Sequence, residues 1–93
     1  MRLQEAERQT ILNTILSADP DAVVYLFGSR VDDTARGGDI DLLVLSTRID
    51  VLAKLTILAQ LHEQLGDQRI DLAVFSDLTK PFARLAVMEG TQL

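Results

Sequence analysis

Three short stretches of the chain are predominantly apolar and rich in β-branched and aromatic residues. They read AVVYLF at 22–27, DIDLLVLS at 39–46 and RIDLAVFS at 69–76. Runs of this length and composition are typical of strands that are buried on both faces. We therefore predict a small β-sheet of about three strands.

Two stretches with helical periodicity lie before the first strand and between the second and third. The first helix is predicted at 3–16, and Pro20 in the following SADPD segment cannot continue it. The second helix is predicted to begin after Asp50, which is a favourable N-cap, and to end near Gly66. Each of the first two helices is therefore bounded by residues that favour helix termination or initiation.

A last helix follows the third strand. It is predicted to begin at Asp77 or Thr79, with Pro81 in its first turn, where the missing N–H of proline costs nothing. Gly90 is expected to end it. The predicted order of elements is then helix, strand, strand, helix, strand, helix.

Helical-wheel positions predict which side of the two later helices faces the sheet. In the second helix the expected inward residues are Val51, Leu52, Leu55, Leu58, Leu61 and Leu65. In the last helix they are Phe82, Leu85, Ala86 and Val87. Ile57 falls on the polar side of the second helix. His62 falls within its apolar arc, and we interpret it as a hydrogen-bonded residue near the helix end. The alternative is that this helix end and Ile57 face a partner.

The connections predict how the strands are arranged. A whole helix separates the second and third strands, which is the signature of a parallel crossover. The N-terminal ends of these strands then lie at one edge, so Asp41 and Asp71 become neighbours. An irregular loop at 28–38 is compatible with an antiparallel first pair, and it brings Gly28 and Ser29 to the same edge. The predicted fold class is α/β (α+β), a mixed sheet with helices packed on it.

The residues that converge on this edge point to phosphate chemistry. Asp39 and Asp41 point to the same face, ~6.6 Å apart along the strand, and with Asp71 they form a trio whose mutual repulsion calls for a cation. Oxygen ligands without histidine or cysteine favour Mg²⁺ or Mn²⁺, and a pair of such ions promotes in-line displacement at phosphorus. Gly28 and Ser29 offer N–H groups and a hydroxyl to phosphates.

Taken singly, these features are ordinary. A Gly-Ser pair after a strand is usually a turn, an Asp-x-Asp at a strand start is often solvated, and Arg30 and Arg36 are by default surface charges. Either arginine could add positive charge at a polyphosphate, and we assign Arg30 to the nucleotide site. The conjunction of Gly-Ser, a loop, Asp-Ile-Asp and a third aspartate opening the next strand is specific.

Composition narrows the function classes. With 93 residues, 47% hydrophobic and 25% charged, the chain is expected to be one globular domain over 1–93. It has no cysteine, which excludes disulfides and thiolate metal sites and fits a reducing cytoplasm. A net charge of −5 argues against direct nucleic-acid binding. No apolar stretch is long enough to span a membrane, and a secretory signal is not expected.

The segment LFGSR…GGDIDLLV resembles the signature of the DNA polymerase β-like nucleotidyltransferases. The short chain and its PFARLAVMEGTQL segment are similar to the minimal nucleotidyltransferase (MNT) branch of that superfamily. The resemblance covers 22–45 closely and the remainder in layout. It implies that Gly28 and Ser29 hold the β- and γ-phosphates of a nucleotide, that Asp39 and Asp41 bind metal, and that Asp71 completes the metal site and helps deprotonate the attacking hydroxyl.

The resemblance also implies a partner. Members of the minimal branch are typically encoded beside a HEPN-domain protein, a helical ribonuclease toxin, and act as its antitoxin. Some of them transfer AMP from ATP to a tyrosine of the toxin. Larger relatives carry an added helical domain that holds the acceptor, and we do not expect one in this chain. The acceptor site must then come from another protein.

We therefore expect an enzyme that uses Mg²⁺, with two ions, to transfer AMP from ATP to a hydroxyl of a partner HEPN toxin. Three alternatives remain open. The chain could be an antitoxin that neutralises its toxin by binding alone. It could modify a small molecule such as an aminoglycoside, with a homodimer supplying the second wall of the site. It could also be a structural α/β domain without metal binding.

Overall fold

The computed structural model describes residues 3–28, 40–66 and 68–93, which form three helices and four strands. In chain order these are α1 (Glu5–Ala18), β1 (Val23–Phe27), β2 (Ile40–Leu45), α2 (Val51–Leu65), β3 (Ile70–Phe75), α3 (Pro81–Glu89) and β4 (Thr91–Gln92). The predicted order of helices and strands is confirmed, and β4 is an addition to it.

The strands form one mixed sheet in the order β3-β2-β1-β4. β1 and β2 are antiparallel and β2 and β3 are parallel, so both predicted pairings are confirmed. The parallel pair arises because α2 carries the chain back across the sheet between β2 and β3. β4 has only two residues and pairs antiparallel with Tyr25 and Leu26 of β1. It has no periodic pattern of its own, which is why about three strands were predicted and not four.

Side-chain and backbone caps fix the ends of α1 and α2. At the start of α1 the carboxylate of Glu7 accepts a hydrogen bond from the Gln4 N–H at 3.1 Å. At the start of α2 the carboxylate of Asp50 accepts one from the Ala53 N–H at 2.8 Å. α2 is followed by Gly66 at φ +82°, a conformation that favours glycine. The predicted bounds of α2 are confirmed.

The start of α3 differs from the prediction. Its N-cap is Lys80, and not Asp77 or Thr79. The Asp77 carboxylate instead accepts hydrogen bonds from the Thr79 N–H at 3.0 Å and the Thr79 hydroxyl at 2.7 Å. This local turn satisfies both residues before Pro81 begins the helix, because such side-chain turns compete with capping.

The first face of the sheet, which we call the closed face, is covered by α1 and α2. Alternate residues of the three long strands point into this core: Val24, Leu26, Ile40, Leu42, Val44, Ile70 and Leu72. The helices contribute Ile11, Ile15, Ile57 and Leu61. Side chains of a strand alternate between its two faces, so the remaining residues of each strand belong to the other side.

The second face, which we call the open face, carries α3. Its buried residues in the described part of the chain are Leu43, Ala83 and Ala86. Partly buried side chains surround them: Tyr25, Phe27, Leu45, Phe75 and Val87. By the same alternation, Asp41 and Asp71 lie on the open face.

The helical-wheel prediction for α2 is confirmed for Leu58, Leu61 and Leu65, which lie in or pack against the closed-face core, and was wrong for the remaining residues. Ile57, expected on the polar side, is 2% exposed in the closed-face core, whereas Val51, Leu52 and Leu55 are 72%, 75% and 56% exposed. α2 contains more apolar residues than it has inward positions, so packing against α1 and β3 selects the face centred on Ile57 and Leu61. Because Ile57 is buried, it cannot face a partner.

Two further side-chain assignments are corrected by the structure. His62, placed in the apolar arc from the sequence, is solvent-exposed. In α3, Phe82 and Leu85 were expected inward but are 49% and 52% exposed. The inward positions are held by Ala83 and Ala86, because these small residues let the helix approach the sheet closely and leave larger side chains at its flanks.

Candidate active site

The centre of the candidate site is a pair of aspartates on neighbouring strands. In the parallel β2–β3 register, Asp41 lies directly opposite Asp71. Neighbouring strands are about 4.8 Å apart, and residues in register share a face. The prediction that these two acids become neighbours is therefore confirmed, and both lie on the open face.

The position of these acids at the strand starts explains why they are tolerated. Asp41 is half-buried and Asp71 is exposed, whereas Leu42, Leu43 and Val44 immediately beyond are buried. The carboxylates thus lie at the N-terminal ends of β2 and β3, where both are at least partly exposed to solvent. Two adjacent carboxylates repel each other, so a bound cation would stabilise the arrangement.

Gly28 approaches this pair from the end of β1. The β1–β2 register places Phe27 opposite Asp41, and Gly28 follows with φ +77°. A Cβ atom at Gly28 would overlap Oδ2 of Asp41 and come within 3.1 Å of its Cγ. Glycine is therefore required both by the backbone conformation and by the close approach of the carboxylate. The predicted convergence of Gly28 on the acid edge is confirmed.

A basic side chain also belongs to this site. Arg69 is two residues before Asp71, and its Nε lies 3.6 Å from Oδ2 of Asp71. Both side chains are more than half exposed, at 73% and 52%, so the ion pair contributes little stability. Its positive charge offsets part of the negative charge of the acid pair. Arg69 immediately precedes β3, and its spacing from Asp71 could have revealed this pair, because side chains two apart in an extended segment share a face.

Several predicted site residues lie outside the described residues. These are Ser29, Arg30, Arg36 and Asp39. Within residues 3–28, 40–66 and 68–93 no group of three potential metal-binding side chains occurs. The predicted trio thus stays a prediction, with two of its members, Asp41 and Asp71, adjacent. Their donors are carboxylate oxygens alone, a set that fits Mg²⁺ or Mn²⁺ and not zinc.

At the other end of the strands, beyond the C-terminal end of β2, a buried acid has a different role. Asp19 is 2% exposed, and the Ser46 hydroxyl donates a hydrogen bond to its Oδ2 at 2.6 Å. The Ser46 oxygen in turn accepts hydrogen bonds from the N–H groups of Arg48 and Ile49, both at 3.1 Å. This network ties the end of α1 to the turn after β2.

The same contacts set the protonation of Asp19. The hydrogen bond from Ser46, then the one from the Asp21 N–H, and then the positive charge of Arg48 hold the pKa of Asp19 below its ordinary value, against the opposing effect of burial. A pocket of about 290 Å³ borders this network. The acid's polar partners are within the protein, so we assign Asp19 a structural role. Sequence reasoning did not single it out.

Comparison with known proteins places the chain in a family. Residues 9–93, nearly its whole length, match the family described as Polymerase beta, Nucleotidyltransferase. The chain belongs to this nucleotidyltransferase family. The resemblance inferred from the Gly-Ser and Asp-Ile-Asp segments is thus confirmed. A comparison with curated protein sequences finds no significant match.

Two solved structures share the fold of this chain. One is the crystal structure of the toxin–antitoxin pair MntA–HepT, with a TM-score of 0.71 and 24% identity, covering 96% of this chain and 70% of that one. The other is a crystal structure of the pair, written MntA–HpeT, in a mutant with two aspartate-to-glutamate substitutions, with a TM-score of 0.73 and 26% identity. It covers 92% of this chain and 70% of that one. Both agree with the mixed sheet and its helices.

The helices were also compared with membrane spans. None of those in the described part of the chain combines the length and the apolar composition needed to cross a bilayer.

Proposed function

We propose that this nucleotidyltransferase uses Mg²⁺ to transfer AMP from ATP to a hydroxyl group, that of a tyrosine on a partner HEPN toxin, and thereby acts as an antitoxin. The single observation that carries the proposal is the register that sets Asp41 opposite Asp71 on the open face. Membership of the nucleotidyltransferase family supports the reaction class. The fold shared with the MntA–HepT pair supports the choice of partner.

In this proposal the nucleotide is held at the end of β1. Gly28 brings its backbone against the Asp41 carboxylate, so the end of β1 lies directly beside the acid pair. Ser29 and Arg30 follow directly in the chain and would add a hydroxyl and a positive charge. Asp39, Asp41 and Asp71 would hold the Mg²⁺ ions. When bound, these ions would neutralise the phosphate oxygens and favour displacement at phosphorus.

The transfer step follows from the position of Asp71. Its carboxylate accepts the proton of the acceptor hydroxyl, and the hydroxyl oxygen forms a bond to the α-phosphorus of ATP. The bond between the α-phosphorus and its bridging oxygen breaks, and the electron pair leaves with pyrophosphate. The product is a phosphodiester that joins AMP to the acceptor.

A label-transfer experiment tests the proposal. The chain is incubated with Mg²⁺, ATP labelled at the α-phosphate and the purified HEPN protein encoded beside it. We expect label on the partner, and no label when Asp41→Asn replaces the parent chain. Asp50→Asn is a matched control, because asparagine caps a helix as well as aspartate does. An unlabelled partner, or label transfer undiminished by Asp41→Asn, would count against the proposal.

An antitoxin that acts by binding alone is a second candidate. It is favoured by the large apolar side chains that α3 leaves exposed, among them Phe82 and Met88 at 49% and 82%. Toxin neutralisation in cells separates the two functions. A binding antitoxin would protect equally well as the parent chain or as Asp41→Asn, whereas an enzymatic antitoxin would lose protection in that variant.

A further inference from the structure

An exposed apolar ridge runs along α3. We define the α3 ridge as Leu78, Phe82, Leu85 and Met88, which are 41%, 49%, 52% and 82% exposed. Phe82, Leu85 and Met88 recur every three residues and therefore follow one side of the helix. Large apolar side chains in a contiguous exposed group mark interaction surfaces more often than isolated ones do.

Aromatic contacts connect the α3 ridge to the acid pair. The ring of Phe82 lies 5.7 Å from that of Phe27, edge to face, and 6.0 Å from that of Phe75. Phe27 is opposite Asp41 in the β1–β2 register. Phe75 lies on the same face of β3 as Asp71 because it is four residues further along the strand. The ridge and the two acids are therefore parts of one surface.

Within residues 3–28, 40–66 and 68–93, no helix covers the side of this surface next to Asp71. α3 packs mainly on β1 and β2, and β3 lies at the edge of the described sheet opposite β4. Ala73 and Phe75, which continue from Asp71 along the open face, are only partly buried. A macromolecule that rests on the α3 ridge can therefore extend along β3 to Asp71 without displacing any of the described helices and strands.

The extent of the ridge indicates the size of its occupant. Phe82 and Met88 are six residues apart, which is ~9 Å along a helix axis, and Leu78 extends the ridge beyond the helix start. Such a surface is larger than a nucleobase. Four large apolar side chains in one exposed group suit the apolar core of a protein interface, which a polar rim surrounds.

We propose that the α3 ridge docks an apolar face of the acceptor protein, so that the acceptor hydroxyl reaches Asp71. This inference rests on the proposed function, because it is the transfer reaction that requires a protein to reach the acid pair. The other exposed apolar group, Val51, Leu52 and Leu55, is less suitable. It lies on the closed-face helix α2, at the helix end that follows the C-terminal end of β2, so the sheet separates it from the acids.

Matched double variants test the docking surface. Leu85→Glu with Met88→Glu places two charges on the ridge, and Leu52→Glu with Leu55→Glu places two charges at the same spacing on α2. All four side chains are more than half exposed, so both double variants should fold, and thermal unfolding checks this. Met88→Glu alone, at the position that is 82% exposed, serves as the variant with the least effect on packing.

The first readout is label transfer at increasing concentrations of the HEPN partner. We expect the ridge variant to raise the KM for the partner at least about tenfold, as charge burial at an interface hot spot does, with kcat within about threefold. The α2 variant should stay within about twofold of the parent chain. An unchanged KM in the ridge variant, or a larger loss in the α2 variant, overturns the proposal.

The second readout keeps this inference separate from the proposed function. Calorimetric binding of the partner without ATP does not depend on catalysis. If the parent chain transfers no label but binds the partner, at least tenfold weaker binding by the ridge variant supports the docking surface, and unchanged binding overturns it.

Sedimentation of the chain alone tests whether a second copy of the chain occupies the ridge. A homodimer that the ridge variant dissociates, with partner binding unchanged, would show that a second copy occupies the ridge and would overturn the proposal.

Discussion

The two faces of the sheet differ in how completely they are covered. In the described part of the chain, the closed face buries thirteen apolar residues beneath α1 and α2, whereas the open face buries three beneath α3. The same strands supply both faces, since Leu42 and Val44 point one way and Asp41 and Leu43 the other. Stability is therefore concentrated on the closed face. The open face, with less to bury, can present acids and apolar side chains to other molecules.

Replacement of Asp71 should cause the largest loss of transfer activity and leave the stability of the fold almost unchanged. Asp71→Asn removes the group proposed to accept the acceptor proton, so the rate of label transfer should fall about 10²–10⁴-fold. The free energy of unfolding should barely change, because the side chain is 52% exposed. Transfer kinetics and urea denaturation measure the two quantities. A comparable loss of stability would show that the open face also carries the fold.

Truncation on the closed face should do the opposite. Ile57→Ala removes a side chain that is 2% exposed, and the lost burial and the cavity should cost about 2–5 kcal/mol of unfolding free energy. Urea denaturation checks this. Leu55→Ala is the matched control on the same helix, and because Leu55 is 56% exposed its cost should stay near 0.5 kcal/mol. Equal losses in the two variants would contradict the assignment of the inward face.

A methyl group at Gly28 should modestly lower both the stability of the fold and the rate of label transfer. Gly28→Ala forces an L-residue to adopt φ +77°, which costs about 1–2 kcal/mol, and its Cβ displaces the Asp41 carboxylate. We expect lower stability together with slower label transfer. Gly66→Ala, at φ +82° with no atom within 4 Å of the added Cβ, is the control for backbone strain alone. It should lose stability and retain transfer.

The smallest effect concerns pH. The pKa of Asp19 is lowered in the folded protein, so its ionised form stabilises the fold above the ordinary aspartate pKa of about 3.9. This stabilisation is lost as the pH falls from about 4 towards the lower folded value. The melting temperature of the parent chain should therefore fall more between pH 6 and pH 3 than that of Asp19→Asn. Hydrogen bonds from Thr79 lower the pKa of Asp77 as well, but Asp77 is exposed. The fall in melting temperature of Asp77→Asn should therefore be closer to that of the parent chain than the fall of Asp19→Asn is.

The arrangement of the strands could be predicted from the sequence because it depends on connections. A crossover that contains a whole helix makes β2 and β3 parallel. The tripeptide Ile-Asp-Leu, which opens both strands, is then paired in register. The inward face of α2 could not be predicted in this way. Apolar residues occur on more than one side of the helix, and only the packing of Ile57 and Leu61 against neighbouring elements selects among them. β4 exists only through its pairing with β1 and has no local pattern to detect.

Part of the candidate site could also be predicted from the sequence, namely the part that depends on topology. The adjacency of Asp41 and Asp71 and the approach of Gly28 follow from topology and are confirmed by the structure. The ion pair of Arg69 depends on side-chain conformation, and the burial of Asp19 depends on contact with Ser46, 27 residues away. Asp39 lies outside the described residues, so its membership of the trio remains a prediction.

The separation of the two acids along the chain has a consequence for folding. Asp41 and Asp71 are 30 positions apart and meet only when β3 pairs with β2, with α2 as the crossover between them. Such non-local parallel pairing is slow, because loop-closure entropy is lost before the contacts form. A nascent chain that ends within α2 therefore contains Asp41 without its neighbour. The proposed transfer reaction would therefore require completion of the crossover, and truncated or partly synthesised copies should be inert.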